Sequence, residues 1–111
     1  MRRATALCLA GLLALSFAAT AAAFTPAHGH YKGEDYHGGL VKLHYTGTHV
    51  VNFDLEDRGV VVSSVPVHGT TFHGSQNGFE IYGQWQSSTY IKGNWQHHGH
   101  TFHFHIYWTH G

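Results

Sequence analysis

Cysteine is nearly absent from this 111-residue chain. The single cysteine, Cys8, lies within an N-terminal apolar leader, so the sequence beyond it offers no disulfide and no thiolate metal ligand. A small domain without such cross-links must be stabilised by its hydrophobic core alone. Three Trp, six Tyr and six of the seven Phe residues lie beyond residue 23 and supply large apolar surfaces for that core.

Charged residues are also scarce, at 11% of the chain. Six Lys and Arg balance six Asp and Glu, and the sequence contains no basic cluster, so we expect no nucleic-acid partner. The thirteen histidines, all beyond residue 23, are the unusual feature. Because imidazole titrates near pH ~6.5, full protonation would take the formal charge of residues 24–111 from −2 to +11.

The first 23 residues have the three parts of a secretory signal peptide. Two arginines provide positive charge, residues 4–20 form an apolar run, and three alanines precede the expected cleavage site before Phe24. The apolar run is short for a membrane span, and no charged stop-transfer segment follows it in the sequence. We therefore expect an exported protein, periplasmic or extracellular, with no transmembrane segment in the mature chain.

Residues 24–39 are rich in Gly and His and show no periodic apolar positions, so we predict an arm or long loop there. Over residues 40–111, apolar and polar residues alternate in short runs that are typical of half-buried strands. Turn signals such as Asp57-Arg58-Gly59 and Asn77-Gly78 separate these runs. Beyond the leader, the sequence has no apolar residues at helical spacing, which argues against helices.

The clearest strand pair is a C-terminal hairpin with a turn over residues 97–100. The expected register has two diagnostic pairs, Trp95 with Phe102 and Ile91 with Ile106. A ten-residue repeat relates residues 83–86 to 93–96 and adds a preceding strand, with Trp85 opposite Ile91. We expect the glycines of this repeat to make room for neighbouring Trp rings.

About seven short strands are predicted, forming an all-β antiparallel meander with one apolar face. Such a sheet buries its apolar face by closing into a barrel or by forming a two-layer sandwich. The short connections favour a small up-and-down barrel, with a two-layer β-sandwich as the alternative. The buried face is expected to hold all three tryptophans, Trp85, Trp95 and Trp108.

Histidines on the polar face indicate binding of a divalent transition metal as the first functional candidate. His103 and His105 are two residues apart on one strand, so their side chains project from the same face and can share one ion. Imidazole suits Zn, Cu and Ni, and Zn or Cu is the expected cofactor. The alternative for this pair is a hydrogen-bonded polar surface without a ligand. A looser cluster in the adjoining turn can chelate a metal or remain solvated: His97, His98 and His100.

The second functional candidate is a small ligand or glycan bound on the polar face of the sheet. Tyr together with Gln and Asn can stack on a sugar ring and form hydrogen bonds with its hydroxyl groups. The residues expected to do so are Tyr82, Gln84, Tyr90, Asn94 and Tyr107. An ordinary solvated sheet surface has the same composition.

The third candidate is a structural or pH-responsive envelope protein without a dedicated ligand, in which the histidines change the net charge with pH. Catalysis is not expected. The Ser, His and Asp residues form no recognisable catalytic order, and Glu80 and Asp54 are isolated carboxylates without an evident partner for acid–base chemistry. The sequence assigns no oligomeric state.

Overall fold

The computed structural model describes residues 24–111, so the expected signal peptide, residues 1–23, lies outside the described residues. Within residues 24–111, no helix has the length and apolar character needed to cross a bilayer. The described chain contains eight strands: β1 (Gly29–Asp35), β2 (Leu40–Tyr45), β3 (His49–Leu55), β4 (Gly59–His68), β5 (Thr71–Gln76), β6 (Phe79–Ser87), β7 (Tyr90–His97) and β8 (His100–His110).

Each strand pairs antiparallel with the next one in the chain, and β8 pairs with β1, so the sheet closes into an up-and-down barrel. Closure removes the exposed strand edges that an open meander would leave. The prediction of an all-β antiparallel barrel is confirmed, and the alternative sandwich is not formed.

The structure has one strand more than the approximately seven predicted. The additional strand is β1, which lies in the segment expected to be an arm or long loop. That expectation was wrong for Gly29–Asp35. Tyr31 is the one large apolar side chain among the inward positions of β1, so the strand lacks the alternation that identifies the others. β1 forms because its backbone groups pair with β2 on one edge and with β8 on the other.

The interior of the barrel is filled by large side chains, and their removal from water is the main source of stability. The largest of the fully buried side chains are Trp85, Tyr31, Phe53, Phe72, Phe104, Ile81, Ile91 and Ile106. A polar link crosses this core, where the indole Nε1 of Trp85 donates a hydrogen bond to Oη of Tyr31 at 3.0 Å. The Tyr31 hydroxyl donates in turn to the carbonyl of Ala27 at 2.6 Å.

The predicted hairpin register is confirmed. The observed pairs include Trp95 with Phe102, Ile91 with Ile106 and Trp85 with Ile91. The turn between β5 and β6 is made by Asn77 and Gly78, whose φ angles are 53° and 82°. Positive φ at both positions is what a two-residue type I′ hairpin loop requires.

Trp108 departs from the prediction that all three tryptophans are buried. Trp85 and Trp95 are 2% and 5% exposed, whereas Trp108 is 39% exposed. The reason is that β8 continues beyond the end of its pairing with β7, so Trp108 lies at the rim of the barrel. There its indole Nε1 donates a hydrogen bond to the carbonyl of His28 at 2.9 Å.

Candidate functional site

Outward-facing side chains of β6, β7 and β8 form one continuous polar and aromatic surface. Residues that face each other across antiparallel strands lie about 4.5–5.5 Å apart. The rows across these strands are Tyr82–Asn94–His103, Gln84–Lys92–His105 and Tyr90–Tyr107. The structure therefore places on one surface the five residues that the sequence suggested for ligand binding: Tyr82, Gln84, Tyr90, Asn94 and Tyr107.

Tyr36 joins this surface from the turn between β1 and β2. Its backbone nitrogen donates a hydrogen bond to the carbonyl of His103 at 2.9 Å, which ties the turn to β8. Its ring centroid lies 5.9 Å from that of His103 and 5.7 Å from that of His105. Sequence patterns did not predict this placement, because it depends on the pairing of β1 with β8. We call the whole surface the aromatic shelf: Tyr36, Tyr82, Tyr90 and Tyr107 with Gln84, Lys92, Asn94, His103 and His105.

Two tyrosines of the aromatic shelf stack on each other. The ring centroids of Tyr90 and Tyr107 are 4.6 Å apart, and their planes differ by 12°. Partial desolvation, together with the proximity of Tyr107 and Tyr36, raises the pKa of Tyr90 above its ordinary value. The Tyr90 hydroxyl therefore keeps its proton at neutral pH and can donate a hydrogen bond.

His103 and His105 lie on the aromatic shelf in mixed surroundings. His105 is opposite Lys92 of β7 on one side and Glu34 of β1 on the other. The Lys92 ammonium repels a cation, and the Tyr36 ring contacts both imidazoles. Across residues 24–111, no group of three or more His, Cys, Asp or Glu side chains is arranged to hold a metal ion. Metal binding by this histidine pair stays a prediction.

The histidines of the second predicted cluster lie at the turn between β7 and β8. His97 pairs with His100 across the turn. Its ring stacks on Phe79 with the centroids 3.9 Å apart, and its Nδ1 lies 3.3 Å from the carbonyl oxygen of Gly78. His98 contacts His97, with 3.8 Å between the ring centroids. The cluster thus packs the turn against β6, and chelation of a metal there stays a prediction.

A third group of histidines, which the sequence did not predict as a cluster, crosses β2, β1 and β8. His44, His30 and His110 occupy directly opposed positions on these strands, and we call them the histidine ladder. The ring centroid of His30 lies 4.4 Å from that of His44 and 4.5 Å from that of His110. With residues 24–39 interpreted as an arm, no register brought the three together. The groove around the ladder is also lined by Lys32, Lys42, Asn52 and Asp54.

The stability of the barrel is expected to fall between neutral pH and about pH 5, with a contribution from His30. Partial desolvation by the neighbouring rings, and repulsion from His44 and His110, lower the pKa of His30 below its ordinary value of 6.5. Below about pH 6.5 the unfolded chain therefore binds more protons at this position than the folded chain. Stability is thus present at neutral pH and is lost on acidification.

Urea denaturation midpoints at about pH 7.5 and 5.5 measure this effect. The difference between the two midpoints should be smaller for His30→Gln than for the parent. His68→Gln, which changes an exposed histidine at the end of β4, should keep the parent's difference. Equal pH sensitivity in all three proteins would show that His30 does not contribute to the pH dependence of stability.

The aromatic shelf and the histidine ladder offer different chemistry in different places. His103, at the centre of the shelf, is seven residues from His110 on β8, which corresponds to about 23 Å along an extended strand. The shelf provides stacking surfaces and hydrogen-bonding groups, whereas the ladder provides imidazole nitrogens. No family model, no curated protein and no solved structure matches this chain.

Proposed function

We propose that this protein is a carbohydrate-binding domain that uses the aromatic shelf and performs no catalysis. The observation that carries the proposal is the clustering of exposed tyrosines, since Tyr36, Tyr82 and Tyr107 are 64%, 39% and 50% exposed. Aromatic rings contribute most to stability when they are buried. Several solvent-exposed rings beside polar groups are therefore typical of a ligand-binding surface.

Sugar binding needs the two kinds of contact that the aromatic shelf can supply. The C–H groups on the face of a pyranose ring pack on aromatic rings, and the hydroxyl groups exchange hydrogen bonds with polar side chains. Asn94 offers both donors and acceptors and lies between Tyr82 and His103 in one row. Lys92 and Gln84 extend the polar part of the surface in the next row.

The filled interior favours a ligand that lies along the outside of the barrel. Trp85 and Phe53 occupy the space in which larger barrels hold a small molecule. An outer sheet surface suits an extended saccharide chain better than an enclosed single sugar. Because Lys92 and Glu34 flank His105 with opposite charges, a neutral saccharide fits better than a strongly charged one.

Titration of the ¹⁵N-labelled protein with neutral tetrasaccharides tests the proposal. Three probes differ in glycosidic linkage or sugar unit: β-1,4-linked glucose, β-1,4-linked N-acetylglucosamine and α-1,4-linked glucose. At least one of them should shift the amide resonances of Tyr36, Asn94 and His103 at millimolar concentration. Tyr82→Ala and Asn94→Ala should each weaken binding about tenfold, which corresponds to about 1.4 kcal/mol.

Val60→Ala is the matched control, because Val60 is an apolar residue that is 50% exposed on β4, outside the aromatic shelf. This variant should bind the saccharide as the parent does. If no probe perturbs the shelf, or if Tyr82→Ala keeps the parent's affinity, the result favours the structural or pH-responsive role without a dedicated ligand.

A further inference from the structure

The histidine ladder depends on a β-bulge near the end of β8. Tyr31 pairs with Trp108, so a regular antiparallel register would place His30 opposite Thr109. The register instead shifts between His30 and Tyr31, and His30 lies opposite His110. Thr109 is therefore the extra residue, and its Oγ1 donates a hydrogen bond to the carbonyl of His30 at 3.0 Å.

The bulge decides which face of the sheet His110 occupies. Side chains alternate between the two faces of a strand, so a regular register would direct His110 toward the side of the barrel interior. With the extra residue, His110 shares the outer surface with His30, and the two rings are in contact. Bulges commonly re-aim a side chain beside a functional site, and here the result is three adjacent imidazoles.

We propose that His30, His44 and His110 bind one divalent late transition-metal ion, Zn²⁺ or Cu²⁺, at this rim of the barrel. Three imidazoles with one open position are a ligand set that Zn²⁺ uses in proteins, and Cu²⁺ also favours imidazole. The site is distinct from the histidines that sequence spacing suggested, and it goes beyond the proposed carbohydrate binding.

Binding requires the imidazoles to turn about their side-chain torsions. The planes of His30 and His44 differ by 16° and those of His30 and His110 by 30°, and in these side-chain conformations the three imidazoles are not arranged to hold a metal ion. Nitrogens that share one Zn²⁺ at about 2.0–2.1 Å are roughly 3.4 Å apart. The Cβ atoms of opposed residues are about 4.5–5.5 Å apart, so side-chain rotation can close this gap without backbone movement. Such rotations are fast for exposed side chains such as His30 and His110.

Charged neighbours modulate the affinity of the ladder. Lys32 lies two residues after His30, and Lys42 lies two residues before His44, in each case about 7 Å along the strand. The positive charge of both lysines weakens cation binding. Asp54 lies opposite Lys42 and neutralises part of that charge.

Calorimetric titration of the tag-free protein with ZnCl₂ at neutral pH tests the assignment. His44→Ala and His110→Ala should each weaken Zn²⁺ binding at least tenfold. With Cu²⁺ as the probe, electron paramagnetic resonance spectra should show fewer imidazole nitrogens coupled to the copper in the same variants. His103→Ala and His98→Ala are matched controls from the aromatic shelf and the turn cluster, and both should keep the parent's affinity.

Deletion of Thr109 isolates the role of the bulge. It keeps all thirteen histidines, and His110 then follows Trp108 directly, so a regular register still sets His110 opposite His30 on the outer face. Zn²⁺ affinity should therefore stay close to the parent's, in contrast to His110→Ala. If the deletion lowers stability, the two point variants decide the question. Affinity unchanged in both point variants, or lost in His98→Ala or His103→Ala instead, would overturn the proposal. Saccharide titrations of the ladder variants separate the two proposals, because those variants should bind sugars as the parent does.

Discussion

Replacing Trp95 by alanine is expected to lower the free energy of unfolding by about 3–5 kcal/mol. Trp95 is 5% exposed, and its ring stacks on Phe102 with the centroids 4.1 Å apart and 9° between the planes. The substitution removes this contact and leaves a cavity that the surrounding strands fill only in part. Because the total stability of a typical domain is about 5–15 kcal/mol, the loss is a large share of it.

Urea denaturation followed by circular dichroism measures the change. Tyr107→Ala is the control, because it removes an aromatic ring that is 50% exposed on the outer face of the same hairpin. It should cost about 1 kcal/mol or less. A Trp95→Ala protein with the parent's midpoint would mean that Trp95 faces solvent and that the inner and outer faces of the hairpin are exchanged.

The two buried tryptophans should respond differently to phenylalanine. Trp85 donates its indole N–H to Oη of Tyr31 at 3.0 Å, whereas the buried Nε1 of Trp95 has no acceptor among the described residues. Trp85→Phe leaves Tyr31 without its donor, while Trp95→Phe removes a polar group that is already unsatisfied. Trp85→Phe should therefore cost about 1–2 kcal/mol more than Trp95→Phe in the same urea experiment. A larger loss for Trp95→Phe would indicate an ordered water on the Trp95 indole.

The alternation of apolar and polar residues was sufficient to predict the architecture wherever the inward positions are apolar. In β6 and β8, residues such as Ile81, Trp85 and Ile106 recur with a period of two and are all buried. Both the buried face and the pairing register followed from this pattern. Since an up-and-down barrel is a series of hairpins, correct registers determine most of its topology.

The alternation of apolar and polar residues gives no signal where the inward positions are small or polar, as in β1. Besides Tyr31, the buried positions of this strand include Asp35, whose Oδ1 accepts hydrogen bonds from the backbone nitrogens of His37 and Gly39, both at 2.9 Å. Asp35 thus closes the following turn and adds no apolar signal. The site features that depend on β1, namely the position of Tyr36 and the histidine ladder, were missed for the same reason.

The paired glycines of the ten-residue repeat accommodate different rings from those expected. The sequence suggested that they make room for Trp rings. In the barrel they form the middle of a row across four strands, Phe72–Gly83–Gly93–Phe104. A Cβ on Gly83 would collide with the ring of Phe72, and one on Gly93 would collide with the ring of Phe104. Two Phe rings therefore lean over the glycines inside the barrel, a known way of filling the space beside a strand glycine.

Gly93→Ala is expected to destabilise the barrel by about 3 kcal/mol. The added Cβ would lie 2.7 Å from Cζ of Phe104 and 2.9 Å from Cα of Gly83, and it would also meet the backbone oxygen of Tyr82. The Phe104 side chain is 1% exposed and surrounded by the core, so it has little space to move. The other two contacts are with the backbone of β6. The methyl group therefore forces β6 and β7 apart, which weakens both their hydrogen bonds and the core packing beneath them.

Gly111→Ala is the matched control for this substitution, because the same methyl group would meet no atom within 4 Å. Its unfolding free energy should stay within about 0.5 kcal/mol of the parent's. Phe104→Leu then tests the cause, since a shorter side chain frees space and should cost less in the Gly93→Ala background than in the parent. If the two losses are simply additive, the contacts with the β6 backbone, and not the Phe104 ring, account for the destabilisation. Unchanged stability of Gly93→Ala would mean that β6 and β7 do not pair in the register that sets Gly83 opposite Gly93.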